Sequence, residues 1–310
     1  MRHIRVISPP ESTAAVLGLL RSRPGATHIT LAPGGSLEPP GDVIGADVTR
    51  EAAHRVLQGL EALGIPTDGA VTVASLDTVL SAAADEAERA VPGDPSDAVV
   101  WEELTARTRE ESTLNVTFLA FLVLAVMLAA VGVVTNSPVT VVGAMVVGPE
   151  FGPLAAIAVA LATRRPHFAV RPSIALLVGF PVAMACTWIG AELALAADLY
   201  PEDVLASAAQ VDFIYRVGPF SLIVALLAGA AGMISMVTAK SAALVGVFIS
   251  VTTVPAAGYA VVAATVGDWH RALESTVQLG VNLVGIVVAG FLVLVLRPAA
   301  WRDMREQVGL

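Results

Sequence analysis

The stretch Asn136 to Thr163, NSPVTVVGAMVVGPEFGPLAAIAVALAT, determines how the whole chain is interpreted. It is apolar enough to lie in a membrane, but an interior proline removes a helical hydrogen bond and clashes with the carbonyl four residues back. The stretch therefore predicts two half-helices that meet near the middle of the membrane, with the carboxylate of Glu150 between them. The interrupting residues are Pro138, Gly143, Gly148, Pro149, Gly152 and Pro153.

A second apolar stretch, Lys240 to Val266, is interrupted in the same way at Gly246, Pro255 and Gly258. Lipid cannot satisfy the backbone groups that a break leaves free, so such a break is stable only against protein or a water-lined cavity. Two broken membrane segments, one in each half of the chain, indicate a transporter-type site.

The composition places most of the chain in lipid. Hydrophobic residues make up 55% and charged residues 15%, whereas soluble domains have about 25% charged residues. The net charge of -9 argues against nucleic acid as a partner, because nucleic acid requires a basic face. The single cysteine, Cys186, cannot form an internal disulfide. No cofactor and no metal site is predicted.

Residues 1–91 predict a separate cytoplasmic domain of alternating strands and helices. The order β-α-β-β-α-β is that of the ferredoxin-like α+β unit, a small sheet with both helices on one face. We interpret His3, His28 and His54 as solvated side chains, because their spacing is not that of metal ligands. The predicted elements are strands at 3–8, 27–32, 42–48 and 69–75, helices at 11–21 and 50–63, and a Pro/Gly-rich turn from 33 to 41.

The rest of the chain predicts six membrane spans, since about 20 apolar residues cross the hydrocarbon core. A linker and connecting helix, residues 92–113, precede them, with no breaker before the first span. A cytoplasmic tail, residues 297–310, follows. The spans are Leu114 to Val134, the broken Pro138 to Ala162, Ser173 to Ala196, Val217 to Val237, the broken Ser241 to Val266, and Ala272 to Leu296.

The loops predict the orientation and symmetry of these spans. Lys and Arg concentrate in loops that would share the side of the N-terminal domain, which predicts a bacterial inner (plasma) membrane protein with both termini in the cytoplasm. The spans divide into two sets of three: continuous, broken, continuous. A three-span unit starts and ends on opposite sides, so its repeat must be inverted, the usual plan of secondary transporters.

The candidate substrate-binding or ion-binding residues lie around the two breaks. Glu150 lies where an ionised group is expensive and is a functional hypothesis by default, although pairing with an arginine or with backbone amides would be purely structural. Lys240, the only lysine, pairs with Glu150 or meets an anionic substrate if both face one cavity, or else it anchors the end of a span. Hydroxyls near the second break could coordinate an ion. The full set is Glu150, Lys240, Asn136, Ser137, Gly148, Pro149, Gly152, Pro153, Thr252, Thr253 and Pro255.

Between residues 114 and 296 the chain resembles domain-of-unknown-function family 389, the uncharacterised hydrophobic domain proteins of bacterial membranes. The resemblance rests on NSPVTVVGAMVVGPEFGPLAAIAVALA, AGAAGMISM, SAALVGVFISVTTVPAAGYAVVAATVGDWHRAL and NLVGIVVAG. The family's first break usually resembles A-P-L-M-G-P, and here Glu150 and Phe151 replace its apolar pair. The resemblance implies an integral membrane protein with a soluble appendage and transfers no site residue.

We expect a secondary transporter of a small solute or ion, with its site between the two broken spans. The alternatives are an oligomeric ion channel and a non-transporting membrane sensor or scaffold whose N-terminal domain binds a ligand. An enzyme is not expected, because the chain has no nucleophile motif, zinc helix or phosphate loop. The expected partners are the bilayer, the solute or ion and further copies of the chain. Half-helix N-termini favour an anionic substrate, and a cation coupled through Glu150 is the other option.

Overall fold

A computed structural model describes residues 1–76, 78–91, 104, 105, 108, 110, 112–206, 211, 218–238 and 253–296. The chain divides into two compact units, Met1–Glu103 and Leu104–Leu310.

The first unit is built on a four-stranded antiparallel sheet with the strand order β2-β3-β1-β4. The predicted succession of strands and helices is confirmed, with a short helix added before the last strand and another helix after it. The elements are β1 (Arg2–Ser8), α1 (Pro10–Arg21), β2 (Ala26–Leu37), β3 (Pro40–Val48), α2 (Arg50–Ala62), α3 (Ile65–Asp68), β4 (Ala70–Ser75) and α4 (Ala82–Ala90).

One face of this sheet carries the core of the unit. Side chains alternate between the two faces of a strand, and the buried residues of β1 and β3 belong to one cluster with buried residues of α1 and α2. The intervening residues, which include His3 and Asp47, therefore lie on the opposite face. The cluster includes Ile4, Val6, Ile44, Ala46, Val48, Val16, Leu20, Val56 and Leu60.

The turn predicted after Ala32 is wrong. Strand β2 continues to Leu37, with register shifts between Thr27 and Thr30 and between Ala32 and Ser36. Gly34 adopts φ +61°, and its N–H donates to Asp42 Oδ1 at 2.8 Å. The shifts accommodate a proline and glycines that a regular ladder would exclude, so the segment remains paired instead of turning.

The regular secondary structure in the described residues of the second unit is all helical. Two short 3-10 turns, Pro166–Ala169 and Val204–Ala206, connect longer helices. The helices are α5 (Val116–Val134), α6 (Pro138–Val147), α7 (Phe151–Ala162), α8 (Val170–Ala196), α9 (Pro219–Thr238), α10 (Val254–Thr265) and α11 (Trp269–Leu296).

Four of these helices, α5, α8, α9 and α11, are long and apolar enough to cross a membrane. Helices α6 and α7 together form a fifth candidate span, bent by 56° at a short break. Helix α10 is apolar but has only 12 residues. The second unit is thus that of a membrane protein with four or five candidate spans. The first part of the predicted second broken span, residues 239–252, lies outside the described residues.

The sequence has no breaker before the first span, but the first span does not continue an earlier helix. Residues 113–115 are not helical, and the side chain of Asn115 accepts a hydrogen bond from the Phe118 N–H at 2.7 Å. Asparagine is among the preferred N-cap residues because its side chain satisfies an otherwise free first-turn amide. Asn115 therefore starts α5 as a new helix.

The helices pack around α5 and α11. Helix α5 contacts α6, α8 and α10, and helix α11 contacts α7, α9 and α10. Three glycines allow backbone-to-backbone approach: a Cβ on Gly132 would lie 2.9 Å from Val141 N, one on Gly258 2.8 Å from Ala130 N, and one on Gly229 2.7 Å from Ile286 O. Small residues at such crossings let membrane helices pack closely where no hydrophobic drive exists.

Candidate functional site

The break in the first broken span lies between α6 and α7, at residues 148–150. Helix α6 ends at Val147, Gly148 is its extended C-cap, and Glu150 is the N-cap of α7. Pro149 has no N–H to continue the ladder of α6. Pro153 follows in the first turn of α7, where a missing N–H costs no helical hydrogen bond. The sequence therefore ends one helix and begins another within three residues.

Helix α10 begins in the same manner. Thr253 is its N-cap and Pro255 lies in its first turn. Helices α7 and α10 each have 12 residues. Both begin inside the protein, because Glu150 is 1% and Thr253 0% exposed.

The two N-cap residues bind each other. The Thr253 hydroxyl donates to Glu150 Oε1 at 2.6 Å, and neither side chain caps its own helix. The two residues are 103 positions apart, so the contact joins a half-helix from each half of the chain. A hydrogen bond to a carboxylate is shorter and stronger than one between neutral groups, so the pair holds the two helix starts together.

The electrostatics of this pair suit a negative charge. A helix N-terminus carries a partial positive charge, and two such ends meet at the carboxylate of Glu150. Among the described residues of the second unit, Glu150 is the only charged side chain that is buried. An ionised group at membrane depth is expensive, and such groups mark ion or substrate pathways.

Helix α11 adds a row of buried polar side chains. Ser275 donates to the Ala256 carbonyl of α10 at 2.8 Å. One turn further, Gln278 Nε2 donates to Asn282 Oδ1 at 2.8 Å. All three polar side chains are at most 2% exposed. They follow an i, i+3, i+7 spacing, which places them on one helix face, and Ser275 shows that this face meets α10.

This geometry lies inside the segment of residues 145–288, which matches a family model described as a domain of unknown function. The model is that of the family DUF389. The predicted resemblance is thus confirmed over a narrower range than residues 114–296. Glu150, Thr253, Ser275, Gln278 and Asn282 all belong to the DUF389 segment. No curated protein and no solved structure is significantly similar to the chain.

The predicted site residues divide into three groups. Seven of them lie at the starts of α7 and α10. Ser137 is instead the N-cap of α6 and accepts from the Thr140 N–H at 3.3 Å, with Asn136 beside it. The ten residues of α6 separate these two from the break by about 15 Å. Lys240 and Thr252 lie outside the described residues. The seven are Gly148, Pro149, Glu150, Gly152, Pro153, Thr253 and Pro255.

The sequence analysis missed Ser275 and Gln278. A usable signal exists, because polar residues at helical spacing within an otherwise apolar 28-residue helix predict a face turned toward other helices. That signal identifies the face but not the helix that it meets.

The first unit contains a second cluster of polar side chains. Asp47 accepts from His3 Nδ1 through one oxygen and from His28 Nδ1 through the other, both at 2.7 Å. His28 Nε2 lies 2.8 Å from Ser81 Oγ, at the start of α4. His54 is 4% exposed, so its interpretation as a solvated side chain is wrong. His3 and His28 are partly exposed to solvent, as interpreted, but they share Asp47 as a hydrogen-bond partner. They meet because β1, β3 and β2 are neighbours in the sheet, which the linear spacing does not reveal.

The cluster affects the charge of Asp47. Burial raises the pKa of this carboxyl, but the hydrogen bonds from His3 and His28 and the charges of these residues outweigh burial, so the pKa lies below its usual value. The hydrogen bonds from Ser81 to His28 and from His28 to Asp47 also connect the start of α4 to the sheet face opposite α1 and α2. Helix α4 packs on β2 and buries Ala84 and Ala87.

Proposed function

We propose that this protein is a secondary transporter of a small solute or ion, with its site between two discontinuous transmembrane helices. The observation that carries the proposal is the buried hydrogen bond between Glu150 and Thr253, the N-cap residues of two half-helices. Transporter sites near mid-membrane are formed by such half-helices, one from each repeat.

The helix contacts support two inverted three-span repeats, with broken second and fifth spans. In the first half α5 packs on α8, and in the second half α9 packs on α11. Half-helix α7 packs on α11 of the other half, and half-helix α10 packs on α8 of the other half. Each half-helix therefore packs on the last helix of the other half, as a two-fold relation requires, while α10 makes an additional contact with α5. Residues 239–252 would supply the first part of the fifth span, giving six spans.

The same proposal includes the location of the chain. We place it in a bacterial inner membrane with both termini in the cytoplasm and the N-terminal unit as a ferredoxin-like module. The short connection between α7 and α8 contains Arg164 and Arg165, and the first turn of α8 contains Arg171. These arginines support this orientation, because Lys and Arg are enriched in cytoplasmic loops. Several copies would assemble in the membrane.

The geometry favours a positive over a negative ion at this site. An anionic substrate was the first expectation from the half-helix N-termini alone. However, the carboxylate of Glu150 already occupies the position where those termini meet. A second anion would have to displace that carboxylate, and a cation coupled through Glu150 was the other expectation. We therefore propose that a cation is transported or coupled to transport here.

A carrier also fits better than a channel. In a pore, rings or rows of charged side chains line the ion path. Within the described part of the second unit, the buried charge is confined to Glu150, which is hydrogen-bonded to a neighbouring helix start. A single buried acidic group fits the binding site of an alternating-access carrier better than the open ion path of a channel.

Flux measurements in proteoliposomes test the proposal. Purified protein would be screened for small solutes that raise its thermal stability, and each hit would be tested for uptake driven by an imposed cation or pH gradient. We expect the uptake to be saturable. We also expect unlabelled solute on the opposite side of the membrane to accelerate it, an exchange effect that carriers show and channels do not.

Glu150→Gln should abolish the dependence of uptake on the gradient. Glu192→Gln removes an exposed acid from α8 and serves as the matched control with normal uptake. Flux that rises linearly with concentration and is insensitive to solute on the far side would favour the channel. Absence of flux, together with ligand binding to the first unit, would favour the sensor.

A second candidate function concerns the first unit alone. In serine hydrolases a histidine between serine and aspartate takes the proton of the serine hydroxyl, and Ser81, His28 and Asp47 have the same order of hydrogen bonds. The first-turn amides of α4 follow Ser81 and have no helical acceptor. A fluorophosphonate probe that labels Ser81, but neither the His28→Ala variant nor the exposed Ser22, would support a hydrolase. If Ser81 is not labelled, the hydrogen bonds among Ser81, His28 and Asp47 only connect α4 to the sheet and have no catalytic role.

A further inference from the structure

We propose that a cavity beside the start of α8 binds the head group of one anionic phospholipid, with Arg171 and His167 on its phosphate. The inference goes beyond the proposed transport function. It requires only that the second unit lies in a membrane, and it uses none of the residues at the two half-helix starts.

The cavity lies where two candidate spans are connected. It is bounded by α7, by the 3-10 turn that follows α7, by the first turn of α8 and by residues that precede α5. Its volume of about 250 Å³ is below the about 300–1,000 Å³ of pockets that enclose drug-sized ligands. A small polar group therefore fits inside, but a whole lipid does not. A connection between two spans lies at the membrane surface, where lipid head groups are found.

Positive charge is concentrated around this cavity. Arg171 and His167 line it, and Arg164 and Arg165 lie in the same connection between α7 and α8. None of its described lining residues is acidic, and the sequence contains no acidic residue from 151 to 191. In the described part of the chain, none of these four side chains forms an ion pair. Their charge is therefore available to an anion from outside the protein.

The two lining side chains suit a phosphate group. The planar guanidinium of Arg171 presents parallel N–H donors that match two oxygens of one phosphate. His167 adds an imidazole N–H, and its ring packs against Phe168 with the ring centroids 4.1 Å apart. Basic pockets between membrane helices are typical binding sites of anionic lipid head groups.

The rest of the polar lining consists of hydroxyl groups. The Thr108 hydroxyl donates to the Leu104 carbonyl at 2.8 Å, and the Thr163 hydroxyl donates to the Val159 carbonyl at 2.8 Å. Since these hydrogens are engaged, the two oxygens offer lone pairs to a donor. A head group that carries hydroxyls beside its phosphate, as in phosphatidylglycerol, supplies such donors. The hydroxyl residues of the lining are Thr105, Thr108, Ser112, Thr113 and Thr163.

The surface next to the cavity favours a lipid over free phosphate. Ile174, Val178 and Val182 follow Arg171 at i+3, i+7 and i+11, which places them on one face of α8. All three are exposed, so in a membrane this face contacts acyl chains. A phospholipid held at Arg171 by its phosphate can lay a chain along this face, whereas free phosphate gains nothing from it.

The test is lipid binding to the full-length protein in detergent. Native mass spectrometry would count bound lipids as phosphatidylglycerol, phosphatidylethanolamine or phosphatidylcholine is added at equal mole fractions. Glycerol phosphate and inorganic phosphate at the same concentrations would represent the phosphate without acyl chains. We expect saturable binding of one phosphatidylglycerol per chain, weaker binding of the two zwitterionic lipids, and no comparable binding of the free phosphates.

Matched variants make the test specific to the cavity. Arg171→Gln should weaken phosphatidylglycerol binding by about tenfold or more, because a hydrogen-bonded charge is lost. Arg171→Lys keeps the charge without the parallel donors and should have an intermediate affinity. Arg165→Gln removes the same charge from the connection but not from the lining, so its effect should be smaller. Arg89→Gln removes an exposed arginine from α4 and should bind normally.

A further variant tests the hydroxyls of the lining. Thr163→Val should reduce the preference for phosphatidylglycerol over phosphatidic acid, whose head has no glycerol. Each variant must match the wild-type elution volume and unfolding temperature in lipid-free detergent. If Thr163→Val fails this check, Thr108→Val replaces it.

Other results would overturn the inference. Equal binding of all three lipids, or unchanged binding in Arg171→Gln, would contradict a head-group site at this cavity. Equal losses in Arg171→Gln, Arg165→Gln and Arg89→Gln would indicate diffuse attraction to the charge of the protein. Glycerol phosphate or inorganic phosphate that binds as tightly as the lipid would identify a site for a soluble anion. A lipid preference that Thr163→Val leaves unchanged would contradict recognition of the glycerol.

Discussion

The hydrogen bond between Thr253 and Glu150 can be measured as a coupling free energy. Thr253→Val replaces a hydroxyl by a methyl group of similar volume, so it removes the donor without leaving a cavity. The bond is 2.6 Å long and both residues are buried. A buried hydrogen bond to an ionised group contributes about 1.5–3 kcal/mol, and one between neutral groups about 0.5–1.5 kcal/mol.

The double-mutant cycle follows from these values. In the wild-type background, Thr253→Val should lower the free energy of unfolding by about 1.5–3 kcal/mol. In the Glu150→Gln background the acceptor is neutral, so the same change should cost about 0.5–1.5 kcal/mol. The difference of about 1 kcal/mol or more measures the charge of the acceptor. The cycle would be measured by reversible unfolding of the full chain in mixed micelles, followed by circular dichroism.

Additivity would refute the reasoning. If Thr253→Val costs the same in both backgrounds to within about 0.3–0.5 kcal/mol, the hydrogen bond does not depend on the charge of residue 150, and an ionised acceptor is excluded. Thr276→Val is the control, since its hydroxyl donates to its own helix at Ala272 O on an exposed face. It should change the free energy of unfolding by at most about 0.5 kcal/mol.

Three further predictions concern packing, capping and pH. Gly258→Ala should destabilise the second unit by about 1–3 kcal/mol, because the new Cβ would lie 2.7 Å from Ala129 Cβ. Gly280→Ala is the control and should not destabilise the unit, because its Cβ would meet nothing within 4 Å. Thermal unfolding or unfolding in micelles would measure both changes. Asn115→Ala should cost about 0.5–2 kcal/mol by removing the cap of α5, and Asn115→Asp should restore most of the loss. The pKa of Asp47 is lower in the folded than in the unfolded chain, so the stability that Asp47 adds is complete above its unfolded pKa. That stability should be lost as the pH falls below about 4 and through the folded pKa. Hydrogen exchange of the full chain would measure the loss, and Asp47→Asn should remove this pH dependence.

Local rules predicted the break between α6 and α7. Gly148, Pro149 and Pro153 act through backbone chemistry that depends only on near neighbours, so the end of α6 and the start of α7 could be located from the sequence. The same holds for the strands and helices of the first unit, where hydrophobic periodicity is strong. The prediction failed at β2, because pairing with β3 keeps a Pro/Gly segment extended.

Contacts between distant residues could not be predicted in this way. Nothing in the local sequence indicates that Glu150 meets Thr253, since their contact depends on how two half-helices cross. Asp47 meets His3 and His28 only through the order of three strands. Gln278 was overlooked because one polar residue in an apolar helix is prominent only when the partner of its helix face is known.

The backbone contact between Gly258 and Ala129 has a consequence for biosynthesis. Helix α5 is among the first membrane segments to leave the ribosome, but one of its faces is completed by α10, which is made much later. Until residue 258 has been synthesised and inserted, that face must be covered by lipid or by an insertion chaperone. The two halves of the chain are interlocked in this way, so neither half would assemble as an independent body, and a ribosome that stalls between α8 and α10 would release an unfinished bundle for degradation.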